Sequence, residues 1–171
     1  VNLSPVQLRN ADFADATLRS IERLGVEPDR IQFEIREATL IADDATIIAN
    51  LGLLRARGVK VALDDFGTGY SSVNYLRQYP VDKIKIDRTL VDQVLTTREC
   101  EAITRAIVSL AKSLGKTVAA EGVESAEIRA VVAAIGCDEL QGYALARPLS
   151  HLQLRSQFGE LWELPPGVYR G

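Results

Sequence analysis

The chain has 171 residues, 47% of them apolar, which is enough for one sizeable buried core and a single domain rather than a disordered segment. Its 20 basic and 23 acidic side chains leave a net charge of −3, so no global positive field draws it to a nucleic-acid polymer or to direct contact with an anionic membrane; specific phosphate sites remain open. No stretch approaches the ~20 apolar residues of a bilayer-spanning helix and none reads as a signal peptide, which points to a cytoplasmic domain, whether or not a parent protein is anchored to a membrane.

Residues 1–4 read as the tail of a strand, after which Pro5 starts an amphipathic helix carrying Val6, Leu8, Leu18, Ile21 and Leu24 and ending at Gly25. Residues 31–36 are strand. Asp43 or Asp44 opens the next helix, with Ile47, Ile48, Leu51 and Leu54 inward and Gly58 as its stop. Over residues 59–63, Val59, Val61 and Leu63 alternate with small or polar positions, the period of a strand. A short helix over 71–78 carries Val73 and Leu76 and is closed by Pro80; strand follows at 83–86. Residues 99–114 form a helix stopped by Gly115, 116–120 a strand, 125–135 a helix stopped by Gly136, 140–143 a short strand and 152–161 a last helix. Six strands, each followed by a helix, make an α/β protein: a modified TIM-type (β/α)8 barrel of which about six units are present, the others expected before Val1. An open doubly wound sheet is the competing architecture, but its Gly-rich dinucleotide loop is absent from the sequence.

Asn2, Glu34, Asp64 with Asp65, Lys85 with Asp87, Glu121 and Gln141 fall at the carboxyl ends of six successive strands, the face where barrel enzymes keep their chemistry. Each alone reads equally as a cap or a surface charge. Together they form a cup of carboxylates around one lysine, unfavourable unless cations occupy it. The adjacent Asp64 and Asp65 point to opposite sides of extended chain, so both reach one ligand only where the backbone turns, as Gly67 and Gly69 allow; Ser71 and Ser72 suit a following helix cap. An oxygen-rich site of this kind suits Mg²⁺ or Mn²⁺, and two such ions suit an in-line displacement at phosphorus.

VNLS at 1–4, FEIRE at 33–37, DDFGTGYSS at 64–72, VDKIKIDR at 81–88, AEGVES at 120–125 and LQGY at 140–143 resemble the EAL-domain phosphodiesterases, across essentially the whole chain. The resemblance implies a barrel that hydrolyses cyclic di-GMP to linear pGpG in bacterial second-messenger signalling, with two Mg²⁺ or Mn²⁺ ions per site. It implies metal ligation by Asn2, Glu34, Asp64 as the bridge, Asp65 and Glu121, with Asp87 a further contributor, and it places Lys85 against the attacking water. A protonated Lys85 orients that water and offsets developing charge, but is no base. Alternation puts Lys83 on the same face, and the sequence does not choose between the two lysines. Gln141 is expected to support the site by hydrogen bonding, and Glu37 with Glu124 to organise loops, Glu37 holding the one that contains Gly67 and Gly69.

The family's Glu-Ala-Leu tripeptide and the arginine after it are absent from these residues. The expectation is therefore a domain spanning 1–171 that lacks its N-terminal strands and helix and is inactive on its own. Arg36 stands where the family usually has Thr; facing the same side as Glu34, it contacts substrate phosphate or weakens metal binding, and both readings stay open. Tyr70, Tyr75, Leu76 and Tyr79 resemble a region through which such domains form homodimers, although aromatics at helical spacing more often serve a core. Cys100 and Cys137 read as reduced thiols, His151 as a surface residue, and Trp162 with Pro165 and Pro166 as the domain's exit. A sensor or diguanylate cyclase domain often accompanies such a chain. Two alternatives remain: a non-catalytic cyclic di-GMP receptor, and a Mg²⁺ enzyme abstracting a proton beside a carboxylate.

Overall fold

Five parallel strands neighbour one another in the order in which the chain makes them: β1 (Gln32–Arg36), β2 (Lys60–Phe66), β3 (Lys83–Ile86), β4 (Thr117–Ala120) and β5 (Glu139–Leu140). These assignments come from a computed structural model that describes residues 1–37, 39, 44–67 and 73–158. Residues 1–3 extend the sheet beyond β1: Asn2 bridges Glu34 in parallel, Glu34 N donates to Val1 O and Leu3 N to Glu34 O, both at 2.9 Å. A doubly wound sheet reverses its strand order at a switch point, whereas strictly sequential parallel strands form the wall of a barrel. The expected strand over 140–143 is shorter and begins one residue earlier. Gly69, Tyr70, Ser71, Ser72, Trp162, Pro165 and Pro166 lie outside the described residues.

Strand alternation sorts the two faces. Ile35, Leu63, Ile84, Ile86, Val118 and Ala120 are fully buried and form one apolar cluster with Leu51 and Leu54 of α3 (Ala45–Ala56), Ile107 and Val108 of α6 (Arg98–Ser113) and Val132 of α7 (Ala126–Ile135). Glu34, Ala62, Asp64, Lys83, Lys85 and Ala119 occupy the other face. The helices begin and stop where the sequence signals: Asp44 caps α3 by accepting from Thr46 N at 2.9 Å, Ser125 caps α7, and Gly136 ends α7 in the left-handed conformation. Leu76 and Tyr79, at and just beyond the end of α4 (Val73–Gln78), are buried within the chain. Among the described residues no helix is long and apolar enough to cross a membrane.

Two helical elements also differ from expectation. The helix predicted from Pro5 to Gly25 is two, α1 (Pro5–Leu8) and α2 (Phe13–Arg23). The break is held by Asn50 of α3, only 4% exposed, whose Nδ2 donates to the carbonyls of Leu8 and Asn10, both at 2.8 Å, while its Oδ1 accepts from Ala14 N at 3.3 Å. Asn50→Leu strands those backbone groups in the core and is expected to destabilise the fold by about 3 kcal/mol, read as a lower urea midpoint at unchanged slope. The second difference is α5 (Arg88–Asp92), a short helix directly after β3 that the apolar pattern does not announce.

At the amino-terminal end of the sheet one device occurs twice. Asp82, before β3, accepts from Val61 N at 2.9 Å and donates its own N–H to Val61 O at 2.8 Å; Asp138, before β5, does the same with Val118, both at 2.8 Å. Each carboxylate is also paired with a helix cation, Arg55 with Asp82 at 2.6 Å and Lys112 with Asp138. Burial acts to raise the Asp82 pKa, but the hydrogen bonds from Arg55 and Val61 N, with the charges of Arg55 and Lys60, hold it below its ordinary value. A carboxyl depressed in the folded state adds stability above its unfolded pKa and loses it as pH falls through the folded one. Asp82→Asn is therefore expected to flatten the acid limb of the stability curve, the stability that the wild-type carboxylate loses as pH falls below the ordinary aspartate range, followed by urea titrations at stepped pH.

Candidate metal centre

The site is built at the end of β2. The strand continues past Leu63 through both aspartates to Phe66, and its pairing with β3 slips between Leu63 and Phe66. Asp65 has φ of +56° and Gly67 +101°, so the turn that lets adjacent acids share a ligand lies at Asp65 itself. A non-glycine residue in that region costs roughly 1–3 kcal/mol and persists where its surroundings fix it. The positive φ at Gly67 favours glycine, and a Cβ there would also stand 2.5 Å from Leu90 Cδ1, so that side chain would have to shift. The bend leaves Asp64, Asp65 and Glu121, at the end of β4, each with an oxygen within 4.8 Å of the others.

Lys85 fills the centre. It is 6% exposed, and its Nζ lies 3.0 Å from Glu34 Oε2, 3.0 Å from Asp64 Oδ1 and 2.5 Å from Glu121 Oε1. Lys83, two residues earlier, goes instead to Glu139 at 2.7 Å, so the structure separates the lysines that the sequence leaves equivalent. Burial alone would lower the Lys85 pKa; the carboxylates of Glu121, Asp64 and Glu34 at its Nζ overcome it and raise the pKa well above its ordinary value, keeping the ammonium charged. Burial raises the Glu121 pKa, Lys85 opposes the rise, and the charges of Asp64 and Glu34 add to it.

Asp64 Oδ1 carries the test of whether an ion fits. Although 3.0 Å from the ammonium, it is buried and lacks a hydrogen bond of acceptable geometry. Three carboxylates around one ammonium leave two negative charges uncompensated. An all-oxygen donor set with excess negative charge and a buried, unsatisfied carboxylate oxygen fits a hard divalent ion.

The other predicted residues are distributed as follows. Asn2 sits beside Glu34 across the parallel bridge and is exposed. Glu34 also accepts from Gln32 Nε2 at 3.1 Å. Asp87, expected among the ligands, is the N-cap of α5: its Oδ1 accepts from Thr89 N at 2.7 Å and from the Thr89 hydroxyl. Buried Glu37 accepts from Gly67 N at 3.1 Å, a contact that ties the end of β1 to the loop after β2. Glu124 pairs with Arg88 at 2.9 Å. Gln141 is exposed just past β5, its N–H bonded to Ala120 O and its carbonyl to Val123 N. Arg36 Nε lies 3.4 Å from Asp65 Oδ2.

Gly142 was not singled out by sequence reasoning. A Cβ there would lie 2.2–2.6 Å from the backbone O, N and C of Val123, so the loop after β5 packs directly on the turn that carries Glu121. Its signal was the glycine beside Gln141 at a strand end, where close backbone approach demands one.

A cleft of about 710 Å³ opens at the opposite end of the strands, where Arg55 and Lys83 are already paired with Asp82 and Glu139. Cys100 and Cys137 are free thiols; burial, with the Asp138 charge, pushes the Cys137 thiol up to about 11. His151 is exposed.

The profile of the EAL domain family matches residues 1–148. The cyclic di-GMP phosphodiesterase RocR of Pseudomonas aeruginosa is 38% identical over 86% of this chain and 38% of its own length. The bifunctional diguanylate cyclase/cyclic di-GMP phosphodiesterase MucR of the same organism is 37% identical over 90% of this chain and 22% of its own length. A solved structure of the PaMucR phosphodiesterase in complex with c-di-GMP superposes with a TM-score of 0.84 at 37% identity, covering 90% of this chain and 62% of that one. A manganese/cy-diGMP complex of Klebsiella pneumoniae BlrP1 gives 0.80 at 34% identity, covering 86% and 38%. The chain spans between 18% and 38% of the lengths of the curated relatives it matches.

Proposed function

Because the chain belongs to the EAL domain family, we propose that it hydrolyses cyclic di-GMP to linear pGpG with two Mg²⁺ or Mn²⁺ ions in the Lys85 site. The observation that carries this reading is the buried ammonium of Lys85 within reach of Glu34, Asp64 and Glu121, with Asp64 Oδ1 unsatisfied. Asn2, Glu34, Asp64, Asp65 and Glu121 would hold the ions. When bound, the ions neutralise phosphoryl oxygens and acidify the attacking water.

Water attacks one phosphorus, the P–O3′ bond breaks, and the products of that opening are a 3′-hydroxyl and a 5′-phosphate on one linear dinucleotide. Lys85 holds the surrounding carboxylates in place, helps orient the attacking water and, as a fixed ammonium charge, offsets the negative charge that grows during attack, without surrendering its proton. Glu121 stays a carboxylate that would hold the ions and pairs with Lys85, while the water's proton passes to solvent, which supplies one to the departing O3′. Glu37 and Gly142 position the loops that bear Gly67 and Glu121. Asp87 caps α5 through its Oδ1 and would be a further contributor to the ion site through its other carboxylate oxygen. A companion cyclase or sensor domain in the same polypeptide is consistent with the name of MucR and the 22% of its length that this chain spans.

The test is incubation of cyclic di-GMP with the polypeptide as naturally expressed, in Mn²⁺ and in EDTA, with separation of the products. Formation of pGpG in Mn²⁺ alone is expected. Binding of the nucleotide without cleavage would replace this reading with that of a receptor.

A further inference from the structure

The structure assigns Arg36 a second role in this site, resting on the proposed function: we propose that its guanidinium couples metal occupancy to nucleotide binding, pairing with Asp65 in the ion-free site and turning to a ligand phosphate once an ion takes Asp65. Three observations support it. Arg36 and Asp64 are register partners on neighbouring strands, so the guanidinium stands at the rim of the carboxylate cluster. Its Nε is 3.4 Å from Asp65 Oδ2, longer than a charge-assisted hydrogen bond at its best, and the two side chains are 76% and 39% exposed. Such a pair is screened and readily exchanged, unlike the buried contacts of Lys85. Asp65 is itself one of the three residues grouped closely enough to hold an ion.

The consequences follow from charge. A fixed positive group beside a ligand carboxylate repels an incoming divalent ion and occupies one of its oxygens. The planar fork of arginine, released from Asp65, matches two phosphate oxygens, and no other side chain of β1 beyond Glu34 on this face does so. Arg36 thus makes the empty site a poorer metal site and the filled one a better phosphate site.

The experiment compares Arg36→Gln with the unsubstituted protein, both full-length, by calorimetric titration. With Mn²⁺ alone, the variant is expected to bind about 3–10-fold more tightly at low ionic strength, the gap narrowing as salt is added. With cyclic di-GMP in saturating Ca²⁺, the variant is expected to bind about 5-fold or more weakly. Equal Mn²⁺ affinity of the two proteins, or equal nucleotide affinity, overturns the coupling while leaving the phosphodiesterase reading intact. Failure of the unsubstituted protein to bind Mn²⁺ overturns the functional reading and this inference with it. Because Arg36 is exposed, matching thermal melts exclude a folding explanation.

Discussion

Lys85→Ala is expected to lower hydrolysis of cyclic di-GMP by about 10²–10⁴-fold, since it removes the buried cation that faces Glu34, Asp64 and Glu121. It carries a second effect that a surface lysine would not. Without divalent ions, the variant leaves three carboxylates crowded with no counter-charge, and breaking a buried pair in this way costs roughly 3–5 kcal/mol. Divalent ions replace the lost charge, so Mn²⁺ is expected to raise the variant's melting temperature more than that of the unsubstituted protein while turnover stays low. Lys85→Met, closer in volume, separates charge from cavity and should behave alike. Lys83→Ala is the control: Lys83 pairs with Glu139 at the other end of the same strand face, and its loss should leave turnover within about 2-fold. Unaltered hydrolysis by Lys85→Ala would remove the lysine from the chemistry.

Asp64→Asn is expected to produce the opposite balance. The amide nearly preserves shape and removes one negative charge from the cluster, so the metal-free fold should be as stable as before or slightly more so. Mn²⁺ affinity and turnover should both fall by at least about 10²-fold, because the buried Oδ1 that lacks a hydrogen bond loses its charge. A variant that binds Mn²⁺ normally would show that the ion sits elsewhere. The pair of variants is diagnostic together: one loses stability that metal restores, the other loses metal without losing stability.

The features legible in the sequence are those set by local chemistry. Gly58, Gly115 and Gly136 mark helix stops and take positive φ; Asp44 and Ser125 mark helix starts and cap them. Strand alternation assigns Ile35, Leu63 and Ile84 to the core and leaves Glu34, Asp64 and Lys85 on the opposite face, enough to predict a barrel wall with a polar site at its carboxyl end. What escapes such a reading depends on partners distant in sequence. Asn50 splits the first helix by bonding to groups 36 to 42 residues away. Lys83 and Lys85 differ only in which strand ends they meet. Asp87 reads as a strand-end acid, but Thr89 two residues later draws it into a cap, and α5 is too short to show a helical period. The need to bring two acids together implies a turn beside Asp64 and Asp65, yet its location at Asp65 rather than at a glycine goes with the slipped pairing of β2 with β3.

The most direct test of the central claim is a crystal structure with Mn²⁺, in which the metal is located by its anomalous scattering. Ions coordinated by Asp64 and enclosed by Asp65, Glu121 and Glu34 are the predicted result, with Lys85 remaining buried beside them. Anomalous density absent from this cluster at saturating Mn²⁺, or found only at surface carboxylates, would contradict the assignment of the site as a divalent-metal centre.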